Sequence, residues 1–359
     1  MVQSASLADI AESAGLSVAT VSKVLNHAQG TNVKAATRDR VLKVAAELHY
    51  RPNRAARFFE RGRTGQIAVV IPRIYFTNYS WRASASLTME IYDGISAFFA
   101  RQSYMTNLIF TPSEHVKEFL HDALLKSHCV DGVILFGGDQ ELACSPEFLA
   151  MGVPVVSFDP NSSRYDLSHT EECPETGIRQ AVDYLAGQRC PSVGSLCFFD
   201  RVHAQHAIRR TELFCSLCRE AGIEVMERFQ AVFRDETDAY VKTAAMFAPS
   251  VSETPRVMFY PSDHSAMMGM RALIDSGRSV PGDVGVLGFD DAPFNINAAV
   301  PLATVAMPRH LQGERGAQLL FEQINDSDRE VTRTLSIHTK FVLRDSLCIQ
   351  NTRSSQNTP

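Results

Sequence analysis

Apolar residues near the start of the chain recur at helical spacing in two short runs. Leu7, Ile10, Ala11 and Ala14 fall at i, i+3, i+4 and i+7, which predicts a helix with one apolar face. Ser6 with Asp9 matches a capping box, Asp standing in for the usual Glu. Gly15 stands where a helix stops and φ turns positive. Ser17 can cap a second helix whose Val21, Val24 and Leu25 turn to the core. Its opposite face carries Ala19, Ser22, Lys23 and Asn26, again at helical spacing. Small side chains there permit close approach, and hydroxyls, an amide and one cation suit phosphates and base edges. Two helices on a glycine turn, the second facing outward, predict a helix-turn-helix whose second helix lies in the major groove; a plain helical hairpin is the alternative. Val41, Val44, Ala45 and Leu48 predict a third helix over residues 36–49 that closes an all-α head, with Arg38, Arg40 and Lys43 on its outer surface.

Pro52 ends the head, and residues 50–64 carry five arginines (51, 54, 57, 61 and 63) and the pair Phe58-Phe59. Asn53 can cap a short helix and Gly62 can end it. The aromatic pair is a liability in water, but against a duplex it could wedge base steps in the minor groove. From Gln66 the pattern changes. Short apolar runs at 67–71, 107–110, 132–136, 153–158, 193–198, 256–260 and 284–289 alternate with amphipathic helical stretches at 88–102, 116–127, 175–186, 204–221, 237–248 and 266–276. This predicts an α/β body of parallel sheets with helices on both faces, split by its length into two doubly wound lobes that cross near Asn161. The expected organisation is a head over 1–50, a connecting segment over 51–65, a body over 66–346 and a tail over 347–359, the last ten residues polar enough to predict disorder.

Charge divides the chain at the same place. Its net charge is −5, but residues 1–65 hold ten Lys/Arg against five Asp/Glu, leaving 25 against 35 for the remainder. A basic head on an acidic body fits a nucleic-acid-binding module joined to a separate globular one. The hydrophobic share of 45% is ample for a large core, yet no run of 18 apolar residues predicts a membrane span. The N-terminus has neither the basic flank nor the apolar core of a signal peptide, so a cytoplasmic protein is expected. Of eight cysteines only Cys215 and Cys218 form a CxxC, without a second pair or nearby histidines; reduced structural thiols are expected, with no metal and no cofactor.

In open α/β sheets ligands gather at the carboxyl ends of strands. Here those ends carry Arg73, Gly137-Gly-Asp139, Asp159, Asp200, Ser262-Asp263 and Asp290-Asp291. Two facing lobes would bring these carboxylates into one cleft. Carboxylates accept paired hydrogen bonds from hydroxyls, which suits a sugar or polyol; the competing reading is that each Asp caps the helix that follows it.

Several stretches carry a resemblance: Asp9-Ile-Ala, Gly15-Leu-Ser-Val-Ala-Thr-Val-Ser-Lys-Val-Leu-Asn26, Thr37-Arg-Asp-Arg-Val41, Tyr50-Arg-Pro-Asn-Arg-Ala-Ala-Arg57, Val280-Pro-Gly-Asp-Val-Gly-Val-Leu-Gly-Phe-Asp-Asp291, Pro301-Leu-Ala-Thr-Val305 and Val342-Leu-Arg-Asp-Ser346. Over nearly its full length the chain resembles the lactose-repressor/galactose-repressor family of bacterial transcription regulators. The resemblance implies a periplasmic-binding-protein-like body and a homodimer whose paired heads read a pseudo-palindromic double-stranded operator. It places base reading on Val18, Ala19 and Lys23, phosphate contacts on Thr20, Ser22 and Asn26, and the minor-groove wedge on Phe59; Ser17, Asn53, Arg54 and Arg57 complete the DNA-binding set. Effector contacts map onto Asp159, Arg210, Ser262 and Asp290, with Phe233 or Arg234 near an aromatic wall and Trp81, the sole tryptophan, at the cleft mouth, stacking on a sugar or simply packed.

Departures from the pattern are specific. Lys23 replaces the common Arg and loses the bidentate grip on guanine. Phe59 replaces Leu, Leu213 replaces Gly in Arg209-Arg-Thr-Glu-Leu-Phe214, and Ser262 replaces Asn. Against the family's pattern the loop between Asn26 and Val33 is longer, and Lys34 stands where Ser usually caps the third helix, so Asn32 or the loop must compensate. The expected function is a ligand-responsive repressor with a saccharide effector. Two alternatives are a sugar-processing enzyme using Asp159 and Asp290 as paired carboxylates, and a solute-binding protein. The first has no nucleophile elbow or nucleotide fingerprint behind it, and the second does not account for the basic head.

Overall fold

The computed structural model describes residues 5–25, 33–50, 62–73, 85–112, 114–125, 129–136, 139–158, 165–198, 205–325 and 332–348. The chain forms two compact units, Met1–Gly65 and Gln66–Pro359. In the first, helices α1 (Leu7–Ala14), α2 (Val18–Leu25) and α3 (Ala35–Glu47) pack around Ile10, Ala11, Val21, Val24, Val41 and Ala45. The capping box at Ser6 forms: its backbone N–H donates to Asp9 Oδ2 at 2.7 Å, and Asp9 N–H donates to Ser6 Oγ at 3.3 Å. Gly15 closes α1 at φ 62°, a left-handed conformation that glycine adopts without strain. Arg40 donates to the Ala14 carbonyl at 3.3 Å, tying α3 to the end of α1. Lys34 precedes α3 without a side-chain cap, and Asn32 lies outside the described residues.

The second unit holds two six-stranded sheets. In chain order its elements are β1 (Gln66–Pro72), α4 (Ala85–Arg101), β2 (Met105–Thr111), α5 (Val116–Leu120), β3 (Gly132–Leu135), α6 (Asp139–Leu142), α7 (Ser145–Ala150), β4 (Val155–Ser157), β5 (Ser168–Cys173), α8 (Glu175–Gly187), β6 (Ser192–Phe198), α9 (Gln205–Glu220), β7 (Glu224–Phe233), α10 (Glu236–Met246), β8 (Val257–Phe259), α11 (Asp263–Asp275), β9 (Gly285–Asp290), β10 (Ala303–Ala306), α12 (Arg309–Asn325), β11 (Thr334–His338) and β12 (Lys340–Val342). The first sheet has the order β11-β5-β4-β3-β1-β2, the second β12-β10-β9-β8-β6-β7. All described pairings are parallel except β10 with β12. The helix expected over 116–127 is α5 followed by a π-helical turn at His121–Leu125.

The crossover expected near Asn161 is elsewhere. Val156 of β4 pairs with Ser168 of β5, so both flanks of that segment belong to the first sheet. The chain crosses after Cys173, returns between Ala306 and Arg309, and crosses once more at Thr339. Thr339 is buried where the first and third crossings meet; its hydroxyl donates to the carbonyls of Cys173 and Pro174 and accepts from Gly177 N–H at 3.1 Å.

Helix α12 belongs to the first lobe and runs against α4 at backbone contact distance. A Cβ on Gly313 would land on the Ile91 carbonyl, and one on Gly94 would land on the His310 carbonyl. Because backbone cannot yield as a flexible side chain can, Gly313→Ala is expected to cost about 1–3 kcal/mol. A melting curve read by circular dichroism checks this; an unchanged midpoint would mean that the two helices are free to separate.

Candidate functional site

In the head, α2 presents one face to solvent. Ser17 caps it, accepting from Thr20 N–H at 3.2 Å, with the two hydroxyls 2.8 Å apart. Val21 and Val24 are buried, while Val18, Ala19 and Lys23 are exposed and Thr20 and Ser22 half-buried. Val18 is an apolar side chain left 47% open on a helix whose neighbours pack well. Asn26, Asn53, Arg54, Arg57 and Phe59 lie outside the described residues.

In the body the two lobes meet at a cluster of buried charges. Glu172 is the last residue but one of β5 in the first lobe; Arg210 sits on α9 of the second. The two form a bidentate pair, Arg210 Nε to Glu172 Oε1 at 2.8 Å and Nη2 to Oε2 at 2.5 Å. Arg210 Nη1 also donates to the Pro261 carbonyl at 2.8 Å and lies 3.4 Å from Asp290 Oδ1. The Phe289 ring lies against the guanidinium at 3.7 Å. Arg309, first residue of α12, donates to Asp290 Oδ1 at 2.6 Å and approaches Glu172 Oε2 at 3.8 Å. Burial by itself would raise the Glu172 carboxyl; the charge and hydrogen bonds of Arg210 overrule it and hold it down to about 2. Burial pushes the His206 ring, which faces the same cluster, below its ordinary value. Burial pushes Glu90 of α4 up, while Arg309 pulls against it.

The carboxyl end of β9 is strained: Asp290 has φ 118° and Asp291 φ 64°. Buried Asp263 braces the turn, accepting from Ala292 N–H at 2.8 Å, Asn295 Nδ2 at 2.7 Å and Thr304 Oγ1 at 2.6 Å. Burial and then the Asp290 charge push Asp263 up to about 7 against those bonds. Arg344 holds Asp291 at 2.6 Å.

Set beside the sequence-derived site, Arg210 and Asp290 come together here, but with each other and with Glu172 and Arg309. Ser262 is the cap of α11, accepting from Ser265 N–H at 3.3 Å. Phe233 is buried with Phe229, Phe247 and Met258 in the core of the second lobe rather than forming a wall, because it ends β7 on the sheet's inner face. Asp159 and Trp81 lie outside the described residues. Both guanidinium groups engage Asp290 through the same oxygen, Oδ1. Sequence reading named Asp263 only as a strand-end carboxylate and missed Glu172 and Arg309 as site members; the doublet Glu171-Glu172 shortly before Pro174 was the available signal. Among the described residues no group of His, Cys, Asp and Glu could hold a metal ion, and no helix is long and apolar enough to cross a membrane. Two grooves, of about 400 and 340 Å³, are lined by residues such as Leu311 and Arg333, and Leu149 and Thr332, and contain no member of the cluster.

Comparison with known proteins covers both units. Residues 6–53 match the model of the bacterial regulatory proteins of the lacI family, and residues 182–347 match that of a periplasmic binding protein-like domain. The HTH-type transcriptional repressor PurR of Vibrio vulnificus is 27% identical over 350 residues, 96% of this chain and 98% of its own. Catabolite control protein A of Staphylococcus xylosus is 26% identical over 92% of this chain and 95% of its own. Among solved structures, the lac repressor dimer bound to operator and the anti-inducer ONPF superimposes with a TM-score of 0.72 at 23% identity, over 96% of this chain and 99% of that one. The complex of the transcriptional regulator CelR with cellobiose gives 0.64 at 25% identity, over 95% and 99%.

Proposed function

Because the chain belongs to the lacI family of bacterial regulatory proteins, we propose that it is a repressor that reads operator DNA through α2 and answers to a small-molecule effector, a saccharide, held between the lobes. The observation that carries the first half is the exposed trio Val18, Ala19 and Lys23 on a helix whose other face is locked into the head's core. A rigid, capped helix with short side chains outward enters a major groove at little entropic cost. Paired heads reading a two-fold operator make the working form a homodimer, and the lac repressor is itself described as a dimer on its operator. The effector reading draws on the charged floor between the lobes and on CelR, which is described with cellobiose. Binding there would alter the lobe angle and, through it, the grip of the heads. The relatives with regulator names favour this reading over catalysis.

Lys23→Ala is the direct test. Losing a base or phosphate contact in each half-site is expected to weaken operator binding by at least about tenfold, at about 1–3 kcal/mol per contact. A DNA mobility assay at fixed salt measures it; undiminished affinity would overturn the assignment of α2. A thermal-shift screen of sugars against the full chain tests the effector, since a ligand that binds the folded state raises the melting temperature.

A further inference from the structure

We propose that Glu172 is a built-in occupant of the Arg210 guanidinium, and that it thereby selects an uncharged effector and excludes ligands bearing a carboxylate or phosphate. This rests on the reading that the lobes hold a small molecule. An arginine facing such a site ordinarily invites an anion, because its fork matches a carboxylate in two parallel bonds. Here the fork is already filled from the opposite lobe, with bonds of 2.8 and 2.5 Å to Glu172. The pair is out of water: the side chains of Arg210 and Glu172 are 7% and 3% exposed. The direct ion pairs balance, Arg210 and Arg309 against Glu172 and Asp290, with Asp263 and His206 beside them.

Charge conservation inside this floor decides what can enter. An anionic ligand must either displace Glu172, leaving a buried carboxylate unpaired, or add a third negative charge to two cations. Both are the arrangements that buried ion pairs tolerate least. A hydroxyl-bearing neutral ligand changes no charge. It can donate to carboxylate lone pairs, and its oxygens can accept from Arg309 Nε, a buried donor with no hydrogen-bond partner among the described residues. Glu172 therefore acts as a specificity residue whether or not it touches the ligand.

The test uses the full-length protein and matched pairs: glucose with glucuronate, galactose with galacturonate, ribose with ribose 5-phosphate, and formate as the smallest carboxylate against chloride at equal ionic strength. Arg210→Met serves as the site control, since a response that survives it arises elsewhere, as on the basic head. The wild type is expected to show no Arg210-dependent rise in melting temperature with any anionic probe. Glu172→Ala and the isosteric Glu172→Gln are expected to gain about 2–4 °C with formate or a uronate, the rise that ligand linkage gives at roughly ten times Kd. Should the alanine variant fail to fold, the glutamine variant and the wild-type panel still decide. An Arg210-dependent rise of the wild type with an anionic probe, or folded Glu172 variants that gain no anion response, would overturn the proposal. Neither result touches operator binding, which the mobility assay reads separately; failure there defeats the repressor reading and leaves this selectivity standing.

Discussion

Arg210→Ala is expected to be the most damaging single truncation in the body, costing about 3–5 kcal/mol because it leaves a buried charge without its partner. The remaining Arg309 would face two carboxylates, Asp290 at 2.6 Å and Glu172 at 3.8 Å, and cannot neutralise both. For a domain of this size the loss corresponds to a midpoint lowered by roughly 10 °C. The pH dependence gives the result its signature. In the parent, Glu172 is held down to about 2 against an ordinary value near 4.5. A depressed acid contributes stability that is complete above its unfolded value and is lost as pH falls through the folded one, here between about pH 4.5 and 2. In Arg210→Ala the sign reverses: burial raises the Glu172 carboxyl against only Arg309, which is shared with Asp290, so the variant is penalised at pH 7 and the penalty shrinks as the carboxyl protonates. The gap between the two melting curves should therefore narrow from pH 7 to pH 3. A gap independent of pH would mean that packing against Phe289, not charge, is what Arg210 supplies. Pairing the variant with Glu172→Met completes the test, since an apolar replacement of both partners is expected to recover much of the loss.

The head and the alternation of the body were legible because their signals are local. Helix spacing, a cap at Ser6, a stop at Gly15 and the jump from a basic to an acidic chain need no long-range partner. What stayed hidden depends on contacts distant in sequence. Strand β5, Ser-His-Thr-Glu-Glu-Cys, has no apolar pattern; Ser168, His169, Thr170 and Glu172 are buried because β4 and β11 flank it and a buried guanidinium meets Glu172, 38 residues away at Arg210. Helix α12 carries Gly313 and Gly316, which read as helix breakers but are the positions where α4 and Phe158 press closest. Without β5 the first lobe ends one strand early, which puts the expected crossover at Asn161. The resemblance found Arg210 and Asp290, but no local pattern discloses that they neutralise one another.

Val21→Asp is expected to abolish operator binding while leaving the body intact. Val21 is fully buried, and among the described residues the cluster it belongs to holds six buried side chains, of which Ile10, Val21, Val24 and Val41 are the large ones. A unit of this length has on the order of 3–9 kcal/mol of stability at about 0.05–0.15 kcal/mol per residue. An unpaired carboxylate placed in that core costs several kcal/mol, comparable with the whole. Among the described residues, Arg40 is committed to the Ala14 carbonyl and Lys23 is exposed on the other face of α2, so neither is placed to rescue it. The contrast with Lys23→Ala separates fold from recognition. The lysine variant should keep the head's helical signal and lose affinity, whereas the Val21 variant should lose both together. In each, the melting transition of residues 66–348 and its response to any effector should match the parent, because the cores of the two units share no described residue. Circular dichroism, calorimetry and the mobility assay on the same preparations decide the point. Operator affinity surviving Val21→Asp would mean that α2 is not the element that reads the duplex.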